Sequence, residues 1–265
     1  MAVSADVGAH AGAQNADFDP AQYSVKPDEL KGRVIAITGA GDGIGKALAV
    51  ACAQHGADVI LIGRTVRKLE GVHAQIDAIR RDGATIAPLN LETAVGKDYD
   101  TLAEALEKRY GRLDGLVHNA AILGTLSPIE HYDVATWMRV MHVNVTAAFI
   151  LTQALLPALR SSADASVLFT SSGVGRKGRA YWGAYAVSKF AVEGLTQVLA
   201  DELEREPQIR VNAINPGRTR TLMRRQAFPA ENLESLPTPE ARVPAYLALL
   251  GPAARGVTGR SFDAG

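Results

Sequence analysis

Arg33-Val34-Ile35-Ala36-Ile37-Thr38 runs without a break into Gly39-Ala40-Gly41-Asp42-Gly43-Ile44-Gly45, and Lys46-Ala47-Leu48-Ala49-Val50-Ala51-Cys52-Ala53 follows at once. The first block is a short apolar run of the kind buried on both faces of a sheet, and the last has the composition of a helix. Strand, glycine-rich turn and helix in that order is the context in which such glycines hold a dinucleotide. Gly39 suits the tight turn, Gly43 a close backbone approach to a pyrophosphate, and Gly45 close packing of helix on strand. The start of the helix adds free N–H groups and a dipole that favours phosphate.

Working outward, apolar runs near 33–38, 58–63, 84–89, 113–118, 165–171, 209–214 and 260–263 read as strands. Helical patterns near 43–55, 67–82, 97–110, 133–159, 183–206 and 239–250 fill the intervals. This alternation predicts an α/β fold: a single-domain, Rossmann-like, doubly wound parallel sheet of about seven strands with helices on both faces. Residues 1–22, rich in Ala, Gly, Asp and Asn and without a period, read as a mobile N-terminal arm, leaving 23–265 as the domain. In an open sheet of this kind ligands gather beyond the carboxyl ends of the strands. Gly39, Gly63, Asn90, Asn119, Ser172 and Pro216 each follow a strand, so all should face one crevice.

The chain has 265 residues, 47% of them hydrophobic, with 28 basic and 28 acidic side chains. That balance gives no electrostatic footprint for nucleic acid or a membrane surface. Cys52 is the single cysteine, so no intrachain disulfide forms, and His10, His55, His73, His118, His131 and His142 are dispersed without metal-ligand spacing. No metal is expected. The N-terminus lacks the positive segment and apolar core of a secretory signal, and the apolar stretch from Ala147 to Leu159 is interrupted by Thr152, Gln153 and Pro157. A cytoplasmic, membrane-free protein is expected.

Tyr185 and Lys189 stand four residues apart in an apolar helical stretch, so both emerge on one face. A phenol is a poor acid or base at neutral pH unless a cation favours its ionised form, and Lys189 is placed to be that cation. Arg64 follows the second strand where a carboxylate would be expected for the ribose hydroxyls of NAD. A guanidinium suits the 2′-phosphate of NADP, with Arg67 or Lys68 as helpers, so NADP is preferred and NAD remains possible.

Thr38-Gly39-x-x-x-Gly43-Ile44-Gly45 and Tyr185-x-x-x-Lys189 together resemble the cofactor and catalytic motifs of the short-chain dehydrogenase/reductase family in its common short form. The resemblance covers residues 30 to 265. Asn119-Ala120-Ala121 is similar to the family's Asn-Asn-Ala-Gly element, with His118 and Ala121 departing from its first and last residues. Asn144 matches the tetrad asparagine, and Ser172 precedes Tyr185 by the family's thirteen positions. The resemblance implies four catalytic residues: Asn144 holding a water toward Lys189, Ser172 donating to the developing alkoxide, Tyr185 moving the proton, and Lys189 tuning Tyr185 while binding the nicotinamide ribose. It implies cofactor contacts from Gly39, Gly41, Asp42, Gly43, Ile44, Gly45, Arg64, Asn119, Ala120, Tyr185 and Lys189. Asn90-Leu91 stands where the family has an Asp-hydrophobic pair beside the adenine, and Pro216, Gly217, Thr219 and Thr221 lie in the segment that closes over the nicotinamide. Asp42 occupies a loop position that is basic in many NADP-dependent relatives.

Hydride transfer between nicotinamide and a small carbonyl or alcohol substrate is therefore the expected activity, in a homodimer or homotetramer. The run from Gly175 to Tyr185 resembles a bacterial subgroup of these oxidoreductases without a settled substrate. Two other readings stay open: a catalytically silent dinucleotide sensor, and a dehydratase or epimerase of the same fold. Arg176, Lys177 and Arg179 on one side and Arg218, Arg220, Arg224 and Arg225 on the other could receive an anionic substrate, or could be solvated charge.

Overall fold

A computed structural model describes residues 17–265. Its seven strands are β1 (Val34–Thr38), β2 (Asp58–Gly63), β3 (Ala84–Pro88), β4 (Gly115–His118), β5 (Ala165–Thr170), β6 (Ile209–Asn215) and β7 (Ser261–Asp263). They lie side by side in the order β3-β2-β1-β4-β5-β6-β7, every pair parallel, with Ala36 of β1 between Ile60 and Leu116. Parallel strands need crossovers that cover both faces, which is why the strand sequences are unbroken apolar runs rather than alternating ones. Ile35 and Ile37 of β1 enter one core and Val34 and Ala36 the other.

One core lies under α1 (Gly43–Gln54), α2 (Val66–Ile79) and α8 (Val243–Leu250). The opposite core lies under α3 (Gly96–Tyr110), α5 (Ala147–Arg160) and α6 (Gly183–Glu202). Strand order reverses between β1 and β4, so the crossover from β3 to β4 opens a crevice above those two strands.

The expected helix over 133–159 is a compound element. α4 (Val134–Met141) passes through a π-helical turn, His142–Thr146, into α5. By length and composition Val134–Arg160 could cross a bilayer, but Ala147, Leu151, Leu155 and Leu159 are buried in the protein's own core. A six-residue helix that the sequence pattern did not announce, α7 (Leu222–Ala227), forms in the loop after β6, capped by the Thr221 hydroxyl on the Arg224 amide.

Of the expected N-terminal arm, residues 17–22 are described. Pro20 is buried, and Phe18 meets the Phe262 ring edge-on at 6.2 Å, anchoring this stretch beside β7. Residues 1–16 of that arm lie outside the described residues.

Charged groups knit the amino ends of the strands. Asp164 pairs with Arg33 at 3.0 Å, with Arg255 at 3.2 Å and with the buried Arg210, while Asp114 takes the Val34 amide at 2.8 Å and the Ser162 hydroxyl at 2.6 Å. Burial, and then the neighbouring guanidinium groups of Arg33 and Arg255, push the Arg210 pKa down.

Candidate active site

A cavity of about 1170 Å³ opens beyond the carboxyl ends of the strands, and the first glycine loop forms its floor. Gly39 has φ +67°, and a Cβ there would sit 3.0 Å from the Cα of Ala120. A Cβ on Gly45 would lie 2.3 Å from the Gly39 carbonyl oxygen, so this glycine sets how closely α1 approaches β1. Gly41, Asp42, Gly43 and Ile44 line the cavity, whereas Gly45 packs behind them. Asp42 caps α1 by accepting from the Gly43 amide at 2.8 Å. Lys68 reaches the same carboxylate at 2.5 Å, and that hydrogen bond, foremost, holds the Asp42 carboxyl below the usual range. An acidic residue at this helix start is thus offset by a lysine from the next helix.

Asn119 locks the switch point. Its amide nitrogen donates to the Thr38 carbonyl at 3.1 Å, and the Thr38 hydroxyl accepts from the backbone N–H groups of Asn119 and Ala120, each at 3.0 Å. Beside it His118, stacked on Phe169 at 4.7 Å and bonded to the Thr152 hydroxyl at 2.8 Å, is buried, and desolvation pulls its pKa down to about 3.

At the far end of the cavity, Arg64 lies 3.6 Å from Glu92, and Arg139 lies 3.8 Å from the same carboxylate. Asn90 makes a turn by accepting the Glu92 amide at 3.2 Å, and Leu91 lines the wall beside it. Arg64 and Lys68 fit a 2′-phosphate by charge and reach. Glu92 and Arg139 were not anticipated; the only trace of Glu92 in the sequence is its place four residues past Pro88, the third strand end.

Ser172, Tyr185 and Lys189 converge at the opposite end. Burial raises the Tyr185 phenol to about 12, opposed by a hydrogen bond with Ser172. Lys189 donates to the Thr170 carbonyl at 2.7 Å, its ammonium 5.6 Å from the centre of the Tyr185 ring. Desolvation draws the lysine down to about 8, with the Glu193 carboxylate one turn further along resisting. The expected lowering of Tyr185 by Lys189 is therefore not the dominant effect in the cofactor-free chain. Burial outweighs it.

Asn144 sits in the π-helical turn and does not line the cavity. Its Oδ1 accepts from the Ile122 amide at 2.8 Å, and its Nδ2 donates to the Ile122 carbonyl and the Ser188 hydroxyl, both at 3.0 Å. Both amide protons are engaged, so a water could only donate to Oδ1. The geometry ties the loop after β4 to α6.

Pro216, Gly217, Thr219 and Thr221 line the remaining wall, leading into α7. Three members of the basic clusters are paired: Arg176 binds Asp263 at 2.9 Å, Arg224 holds Glu231 at 2.5 and 2.6 Å, and Arg220 pairs with Glu234.

Residues 33–232 match the short chain dehydrogenase family. The uncharacterized oxidoreductase YciK of Escherichia coli (strain K12) is 48% identical over 242 residues, 91% of this chain and 95% of that protein. A Pseudomonas syringae structure named for a short chain dehydrogenase superposes with a TM-score of 0.91 at 54% identity, covering 94% of this chain and 99% of that one. A structure from Escherichia coli CFT073, complexed with NADPH, gives a TM-score of 0.88 at 49% identity over 90% of this chain and 99% of its own. With the glycine cradle, the parallel sheet and most of its length matched, the chain belongs to the short-chain dehydrogenase/reductase family of oxidoreductases.

Proposed function

We propose that this protein is an NADP(H)-dependent oxidoreductase moving hydride between nicotinamide and a carbonyl or alcohol carbon, with Tyr185 as the general acid or base. The observation that carries the reading is the convergence of Ser172, Tyr185 and Lys189 on a cavity that begins at the glycine loop. When bound, the nicotinamide supplies or takes up the hydride. Gly39, Gly41, Gly43 and the start of α1 would hold the pyrophosphate, and Arg64 with Lys68 the 2′-phosphate. The NADPH-bound relative supports this choice over NAD.

In the reducing direction the buried phenol of Tyr185, protonated at neutral pH, gives its proton to the carbonyl oxygen. The Ser172 hydroxyl donates to that oxygen as charge builds on it, an interaction stronger in the transition state than in the bound ketone. The Lys189 ammonium stabilises the phenolate left behind. Asn144 keeps the loop carrying Ile122 in register with the helix carrying Tyr185. A silent sensor would have no use for such a buried, preorganised proton donor.

The exposed apolar side chains Phe149 on α5 and Val187, Phe190 and Val198 on α6 support a paired assembly through these helices. Tyr185→Phe tests the central claim. Turnover of NADPH with carbonyl substrates should fall by about two to four orders of magnitude while NADPH binding by titration is retained. Undiminished turnover would remove Tyr185 from the chemistry.

A further inference from the structure

The substrate end of the cavity has an apolar wall, and the one arginine of the flanking clusters that lines it is held by a carboxylate. Leu123, Trp182 and Tyr185 form a buried cluster with Met223, Ala227 and Phe228 of the α7 segment packed on it. Trp182 meets the Tyr185 ring at 5.8 Å and the Phe228 ring at 5.7 Å, so an indole face stands beside the proton-donating phenol. Of the basic residues in the two flanking clusters only Arg224 lines the cavity. Its guanidinium is chelated by Glu231 and lies 3.7 Å from the centre of the Phe228 ring, fixing that ring in place instead of presenting free charge. Arg179 lies over Trp182 and Phe228 at 5.8 and 5.4 Å, outside the lining. The other cations that line the cavity are Arg64, Lys68 and Arg139 at the adenosine end, where Asp42 and Glu92 face them, and Lys189, which is buried and already donates to the Thr170 carbonyl.

From this division we infer that the substrate is an uncharged ketone or aldehyde whose flat or alicyclic apolar body lies against Trp182, Leu123 and Met223, and that carboxylated analogues are rejected. The assignment rests on the carbonyl-reduction reading above. A carboxylate carried into this wall would lose its hydration without gaining a cation, whereas an apolar ring gains contact area and dispersion with the indole. The arginines whose number suggested an anionic substrate offer it little in the cavity, because Arg224 alone of them lines it and Glu231 already holds that guanidinium.

The chain contains two tryptophans, which makes the pocket readable without turnover. In a Trp137→Phe background, Trp182 is the sole indole reporter, and the NADP-loaded protein is titrated with acetophenone, 4-acetylbenzamide, 4-acetylbenzoate and cyclohexanone. Acetophenone should quench Trp182 saturably and bind at least about ten-fold more tightly than 4-acetylbenzoate, with the neutral amide between them. NADPH-driven reduction of the same compounds should follow that order. Trp182→Ala, and independently Met223→Ala, should raise KM for acetophenone at least about ten-fold with a smaller change in kcat. Equal or tighter binding of the carboxylate, no quenching by any neutral ketone, or an unchanged KM in both variants would overturn the assignment. NADPH consumption that favours 4-acetylbenzoate would sink this inference and leave the oxidoreductase reading standing. Saturable neutral-ketone binding with no NADPH consumed by any compound would do the reverse, sinking the oxidoreductase reading and leaving the pocket's chemistry intact.

Discussion

The two ends of the sheet both bury ionisable groups, and they do so in opposite ways. At the amino ends Arg33, Arg210 and Arg255 surround Asp164, and every charge faces one of opposite sign. At the carboxyl ends Lys189 is as deeply buried, yet it donates to a neutral carbonyl, and among the described residues no ion pair holds it. A buried charge with a partner is fixed and serves the architecture. One without, facing a cavity, has a perturbed pKa and is available to a ligand. The first arrangement should fail as lost stability, the second as lost turnover or binding.

The sharpest way to break this contrast is Tyr185→Phe, already described, which should cost the most in rate and little in stability. At the other end, Asp164→Ala should remove the carboxylate from the buried Arg33 and Arg210 and lower the unfolding free energy by about 3–5 kcal/mol in denaturant melts, with kcat per folded molecule kept. Equal loss of kcat would show that the two ends are coupled. His118 gives a pH-dependent test. It titrates near 3 when folded and near 6.5 otherwise, so the unfolded chain takes up the proton first as pH falls. The His118 contribution is complete above pH 6.5 and is lost toward pH 3, at up to about 1.4 kcal/mol per pH unit. Melts across this range should show a shallower acid limb for His118→Asn. Arg64→Ala should weaken NADPH binding about ten- to hundred-fold and NADH far less, as read by titration. Smallest of all, Tyr181 holds φ +73° while its carbonyl accepts from the Ser127 amide at 2.9 Å. Tyr181→Gly should gain at most about 1 kcal/mol of stability, unless backbone freedom in the unfolded chain cancels it.

The strands were legible because a parallel sheet buried on both faces leaves continuous apolar runs, and each expected strand matches within a residue or two. The glycine loop was legible because close approaches such as Gly45 to the Gly39 carbonyl leave only glycine. The lid helix α7 was not, since Leu222-Met223-Arg224-Arg225-Gln226-Ala227 is too short to show a period and has apolar residues facing a cavity. The π-helical turn escaped as well, because a change of hydrogen-bond step leaves the hydrophobic pattern almost untouched. The arginine clusters left two readings open because charge can be counted from sequence, while the pairing of Arg224 with Glu231 and of Arg176 with Asp263 needs the folded chain.

The wide turn at His142–Thr146 accommodates one residue more than an ordinary α-helical turn. Forcing the same residues into ordinary α-helical steps would swing everything from Ala147 to Arg160 by about 100° around the axis. Leu151 and Leu155 would rotate away from the sheet and a new set of side chains would replace them. The irregularity is therefore a fixed phase marker between the loop that walls the pocket and the rod that fills the core.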